Sequence, residues 1–294
     1  MSAKTIQVDD VKIERTHPAL SFLGRMLKSG SAKLGAVIFV CVVLFCVVGP
    51  FLIPYGVNDI DITLISSGPC EGHPFGTDSM GRDMMARLMY GGRYSLALGL
   101  ITSLFQACIS MVIGSIAGYF GGKVEMFIMR LLDVWSALPS MLLCILVSAV
   151  LGPGFFTTVL ALTVGGIPGG VRMLRGQILS ERGKEYVEAA ESINCSKISI
   201  MFKHLLPNCV QPTIVSTTMG VGNTMIAAAS LSYIGLGIQP PAAEWGAMLA
   251  EGRGYIRTKP HLIAVPGIII ALTVLSINLL GDGLRSALDP KLRD

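Results

Sequence analysis

Apolar and polar positions alternate in this chain on the scale of whole helices rather than single residues. The clearest apolar run is LGAVIFVCVVLFCVVGPFLIP at 34–54, and a helix needs about 20 mostly apolar residues to cross a bilayer. Further windows of similar length lie at 94–118, 126–151, 155–175, 207–231 and 262–282. The first run is too long for a signal-peptide core and no small-residue cleavage pattern follows it, so it is expected to be retained. The pattern predicts an all-α membrane protein with six transmembrane helices and both termini on one side.

One block breaks this rhythm. Residues 185–208 read EYVEAAESINCSKISIMFKHLLPN, and at 181–204 the charges Glu181, Arg182, Lys184, Glu185, Glu188, Glu191, Lys197 and Lys203 make up a third of the residues, against 14% for the chain. Tyr186, Ala189, Ala190 and Ile193 recur at helical spacing, and Ile198, Met201, Phe202 and Leu205 do so again. Between them Asn194 tolerates the left-handed conformation that ends a helix, and Ser196 is an N-cap for the next. Pro207-Asn208 is expected to close that second helix. Two short amphipathic helices joined by a tight turn result. Such a pair also suits a membrane surface, but Glu185, Glu188 and Glu191 would repel anionic headgroups, which favours a protein partner.

Composition supports the lipid setting: 52% of residues are hydrophobic and the mean hydropathy is +0.64. The net charge of +4 forms no basic patch with interleaved aromatics, which argues against nucleic acid. With the N-terminus inside, seventeen of the 23 lysines and arginines fall on inner segments and six on outer ones. That bias puts the charged block and both termini in the cytosol.

Glu188-Ala189-Ala190, a turn residue at 194, Ile200 and Leu206-Pro207 resemble the EAA loop of bacterial ABC-importer permeases. The family usually has Gly where Asn194 stands; Asn is the next-best residue at positive φ, so the turn is expected to survive. HPFGTDSMGRDMMARLMYGGRYSL at 73–96, SLSYIGLGIQPPAAEWGAMLAEGR at 230–253 and NLLGDGLRSALDPKLR at 278–293 resemble signatures of the dipeptide/oligopeptide/nickel subfamily, in its six-span C-type subunit. The resemblance implies the type I importer permease fold, with a cytosolic coupling helix docked into an ATPase. It also implies a second homologous permease, two ATP-binding subunits and an extracytoplasmic substrate-binding protein, in a bacterial cytoplasmic membrane. Coupling would fall to Glu185, Glu188, Ala189, Ala190, Asn194, Ile200, Leu206 and Pro207, and ATP and Mg would be held by the partners. Small peptides are the expected cargo, with nickel or a metal chelate as the alternative.

The same stretches carry physical expectations. Asp78 with Arg82, and Asp83 with Arg87, are acid-before-base pairs at i, i+4. Met84, Met85, Leu88 and Met89 fill an apolar face that Gly91-Gly92 ends, which describes a short interfacial helix before the second span; packing explains these methionines better than metal binding. Gly235 and Gly237 are expected to break the fifth span, and Pro240-Pro241 to start a short helix bearing Glu244 and Trp245. Trp245 is expected to anchor at the membrane interface, or to lie in an outer loop that meets the binding protein. Asp133 is expected to pair with Arg130 one turn away. Gln106, Asn223 and Asn278 are the candidates for lining a path, or for bonding between helices. Gly114, Gly118 and Gly122 form a close-approach stripe, and Gly165, Gly166, Gly169 and Gly170 around Pro168 are expected to loosen the fourth span.

Catalysis finds no support. The chain has no phosphate-binding G-x-x-x-x-G-K-[ST], its four histidines (His17, His73, His204 and His261) are scattered, and its seven cysteines form no C-x-x-C and no expected disulfide. A stand-alone channel or secondary transporter should show inverted repeats and buried ionisable relays, and it leaves the charged block unexplained. The expected organisation is a cytoplasmic tail at 1–33, a first span at 34–54, an outer loop at 55–92, a transmembrane core at 93–284 with its coupling loop at 181–206, and a cytoplasmic tail at 285–294.

Overall fold

In lipid a helix satisfies its own backbone N–H and C=O groups, and each apolar run of this chain folds that way. The computed structural model describes Met26 and residues 29–288. His17, most of the tail at 1–33 and all but the first residues of that at 285–294 lie outside the described residues. Among the described residues there is no strand, only isolated bridges such as Ile60 with Arg82 and Thr77 with Asp83.

The helices in chain order are α1 Gly30–Val47, α2 Met84–Phe120, α3 Gly122–Trp135, α4 Ser140–Leu151, α5 Phe155–Arg182, α6 Glu185–Ser192, α7 Leu206–Tyr233, α8 Trp245–Gly252 and α9 His261–Leu288. α1, α2, α5, α7 and α9 are long and apolar enough to span a membrane. The expected third span, 126–151, is not one straight helix: α3 and α4 meet at a 73° bend. Pro139 explains the break, because proline disfavours helical conformation at the residue before it. α3 is held against α5 by Arg172–Asp133, at 3.0 Å, and Arg175–Glu125. Asp133 thus reaches across to Arg172 rather than back to Arg130.

Small residues set the close crossings. A Cβ at Gly114 would press on Leu174 and one at Gly118 on Ile178, so α2 lies tightly along α5, while Gly122 leaves that stripe with φ +53°. Gly35 lets α1 approach Leu279 and the Ser276 carbonyl of α9. The glycines around Pro168 do not interrupt α5, which runs unbroken through them. Gly165 faces Cys144, Gly166 faces Gln106 and Gly170 faces Ser110, while Gly169 is open.

The segments 52–83 and 234–260 form a cap at one end of the bundle, and here several expectations change. No separate interfacial helix precedes the second span. Asp83 caps α2, its carboxylate accepting from Ala86 N–H at 2.6 Å, and the helix continues through Gly91 and Gly92. Their missing side chains make room for the Ala243 carbonyl and for Cys46 with the Trp245 ring, so these glycines mark a crossing, not an end. Asp83 pairs with His73 at 2.8 Å instead of Arg87. Arg87, fully buried, reaches Asp78 and Glu251, and Arg82 pairs with the same two carboxylates.

Gly235 ends α7 as expected. It takes φ +86°, with Gly235 N–H donating to Ser232 O and Leu236 N–H to Leu231 O, the two-bond closure that favours glycine. Pro240-Pro241 does not start the next helix. α8 begins at Trp245, where the Glu244 carboxylate accepts from the backbone N–H groups of Gly246 and Ala247, each at 2.9 Å. Trp245 is no interface anchor: it is 0% exposed, and its indole N–H donates to the Leu88 carbonyl at 2.9 Å. The space over Gly92 draws the ring into the core, and that carbonyl satisfies its one polar atom.

Candidate functional site

At the other end of the bundle, α5 gives way to a hairpin of α6 and the turns that lead into α7. α6 has two acidic residues in its first turn, Glu185 and Glu188, where carboxylates complement the helix dipole. It ends as the sequence predicts. Asn194 takes φ +57°, its N–H donates to Glu191 O at 2.9 Å, and Cys195 N–H donates to Ala190 O at 3.1 Å. The next segment starts at Ser196, whose hydroxyl accepts from Ser199 N–H at 3.2 Å.

The second arm does not stop at Pro207-Asn208. Helical turns at Lys197–Ser199 and a π-helical stretch at Ile200–Leu205 run directly into α7. Pro207 follows the π-helical stretch directly, and the wider turn before it accommodates the proline within a continuous helix. The hairpin is therefore rooted in a spanning helix.

Burial divides the hairpin into two faces. Val187, Ala190, Ile200, Met201 and Leu205 pack with Tyr119 of α2, Leu174 and Ile178 of α5 and Cys209 of α7. Facing outward are Glu185, Glu188 and Ala189, together with Ile193 at 76%, Ile198 at 66% and Phe202 at 41% exposure. Among the coupling candidates, Ala190 and Ile200 thus belong to the anchoring face and Leu206 is half-buried, while Pro207 is exposed. The sequence periodicity grouped Ile193, Ile198 and Phe202 with the buried positions; the structure separates them. The Tyr186 hydroxyl donates to Glu181 at 2.9 Å. Burial, then that contact with a carboxylate, pushes its pKa up to about 12, so it stays a neutral donor at physiological pH.

A second feature lies midway along the bundle, a cavity of about 190 Å³ among α2, α5 and α7. Ser103, Gln106, Ser110, Thr213, Ser216 and Thr217 line it with Gly166, Gly169, Gly170 and Gly220. Of the three path candidates only Gln106 is there, its amide donating to the Leu162 carbonyl at 2.7 Å. Asn223 is exposed elsewhere on α7, and Asn278 is half-buried on α9, near Gly222. The hydroxyls that line the cavity are each unremarkable in the sequence alone. The available signal was the spacing of the lining positions, glutamine and glycine included: 103, 106, 110 and 213, 216, 217, 220 each follow one helix face.

The family model described as "Binding-protein-dependent transport system inner membrane component" matches residues 110–294, and that for the "N-terminal TM domain of oligopeptide transport permease C" matches 20–69. The chain is 39% identical over 268 residues to the di/tripeptide transport system permease protein DppC of Pseudomonas aeruginosa, covering 89% of this chain and 88% of that protein. It is 40% identical over 290 residues to the glutathione transport system permease protein GsiD of Pectobacterium atrosepticum, covering 98% and 96%. The probable D,D-dipeptide transport system permease protein DdpC of Escherichia coli is 39% identical over 267 residues, with 90% of each chain covered. A chain of the MetNI methionine ABC transporter, solved in inward-facing conformations, superposes with a TM-score of 0.59 at 20% identity, covering 70% of this chain and 98% of that one. That last likeness shows the fold alone, the type I importer permease fold. Spanning helices, a hairpin rooted in one of them and a family match from 110 to 294 converge, and the chain belongs to the binding-protein-dependent transport system inner membrane components.

Proposed function

We propose that this chain is the C-type permease subunit of an ATP-driven importer that moves small peptides across a bacterial cytoplasmic membrane. The observation that carries this reading is the two-faced hairpin, with one face fixed to α2, α5 and α7 and the other presenting Glu185, Glu188, Ile193, Ile198 and Phe202. A cytosolic ATP-binding subunit would dock there and drive α7, tilting the bundle so that the path opens to each side in turn. The bias of lysine and arginine supports a cytosolic position for the hairpin and both termini. The assembly would comprise a second homologous permease, two ATP-binding subunits that hold ATP and Mg, and an extracytoplasmic binding protein. This chain itself holds no cofactor and performs no catalysis.

Peptide as cargo is supported by the di/tripeptide, D,D-dipeptide and glutathione relatives; none of these is a nickel permease. The test is uptake of labelled di-, tri- and pentapeptides beside labelled nickel, in cells with and without the chain and after ATP depletion. ATP-dependent peptide uptake that disappears on deletion is the expected result. Loss of nickel uptake alone would move the cargo to a metal, and chain-dependent uptake that survives ATP depletion would return the stand-alone transporter.

A further inference from the structure

The charges of α5 are turned away from the mid-bundle cavity. Arg172 and Arg175 lie next to lining residues in sequence, yet they point to Asp133 and Glu125 of α3. No lysine, arginine, histidine, aspartate or glutamate lines the cavity among the described residues. Its polar groups are amphoteric and stand among the apolar Ala107, Met111, Met173 and Leu174. Ser103 is bonded to Thr224, and Thr213 to Gln177 and the Cys209 carbonyl, while Ser216 and Thr217 line the space half-buried. A hydroxyl both donates and accepts, as does the Gln106 amide. Ser110 is 5% exposed, and its hydroxyl has no hydrogen-bond partner among the described residues. At Gly169 nothing stands within 4 Å of where a side chain would begin, so the wall is open there.

We propose that this cavity is the chain's share of the translocation path, built to hydrogen-bond the backbone amides of a peptide whatever the charge of its side chains. This rests on the peptide-importer reading above. A peptide offers alternating N–H donors and C=O acceptors, and hydroxyls that serve either can exchange partners as the cargo slides. A fixed charge in so confined a site would favour one sign of side chain and hold back the other. A neutral wall leaves that selection to the component that first captures the cargo.

The experiment introduces the missing charge in the whole transporter, as Ser216→Asp and Ser216→Lys. Uptake of labelled Ala-Ala, Lys-Ala and Asp-Ala by each variant is divided by wild-type uptake of the same peptide, which cancels selection by the binding protein. Ser216→Asp is expected to lower Asp-Ala about tenfold more than Lys-Ala, and Ser216→Lys to reverse the order. Equal effects on all three peptides, or no effect, would overturn the proposal. A cargo-free arm labels Ser216→Cys with cationic and anionic thiol reagents, using the native cysteines as the blank. Similar rates are expected; no labelling, or a strong preference for one sign, would also overturn it. If the wild-type transporter takes up none of the peptides while both reagents label equally, the peptide reading fails and the neutral path stands.

Discussion

The two ends of this bundle handle charge in opposite ways. In the cap, Arg82 and Arg87 are buried and share the carboxylates of Asp78 and Glu251. This joins the segment before α2 to α8, residues more than 160 positions apart. In the hairpin, Glu185 and Glu188 are exposed and make no ion pair among the described residues, beside Ile193, Ile198 and Phe202. Desolvated charges endure only when paired, so the cap's charges serve the chain's own architecture. The hairpin holds charge and apolar surface outward from an anchored base, the arrangement of a handle. Ion pairs in a membrane protein therefore need not mark the working end; the proposed docking face carries the unpaired carboxylates instead.

Substitutions in the two regions should therefore fail in different ways. The largest expected effect is from Glu188→Lys, which should abolish uptake while membrane abundance, followed by immunoblot, stays at the wild-type level. Normal uptake would remove Glu188 from docking. Arg87→Met should act the other way, through folding. It leaves Glu251 and Asp78 short of a partner and is expected to cost about 3–5 kcal/mol, seen as lower abundance and a lower melting temperature in detergent. Gly91→Ala, which would drive a methyl group into the Ala243 carbonyl, should cost up to about 3 kcal/mol. Gly169→Ala, facing open space, should leave the melting temperature unchanged. Asn194→Gly should also be mild, within about 1 kcal/mol and with uptake near wild type, because glycine takes φ +57° without strain; a severe loss would reveal a side-chain role for Asn194.

The sequence made the hairpin largely legible because its turn is local. An Asn at the end of one apolar period and a Ser at the start of the next specify backbone bonds within a few residues. The five long helices were legible for the same reason. What was not legible depended on distant chain segments. Gly91-Gly92 looks like a helix stop until Ala243 and Trp245 are seen crossing there, and Trp245 looks like an interface anchor until its indole is found bonded to the Leu88 carbonyl. Asp133 had a local partner in Arg130, but the bend at Pro139 leaves α3 beside α5, and Arg172 takes its place. Pro207 looks like a terminator because proline usually breaks helices, yet after the π-helical turn at Ile200–Leu205 the helix continues through it. The cavity hydroxyls lie on helices whose apolar majority masks them.

The central claim is that the outward face of the hairpin is where an ATP-binding subunit docks. Its most direct test is affinity purification of this chain from membranes, comparing wild type with Phe202→Glu and quantifying the co-purified ATP-binding subunit at equal yield of the chain. Phe202 is 41% exposed and not among the buried anchoring residues, so the variant is expected to keep its place in the membrane and lose most of the ATP-binding subunit. Undiminished co-purification from that variant would contradict the account.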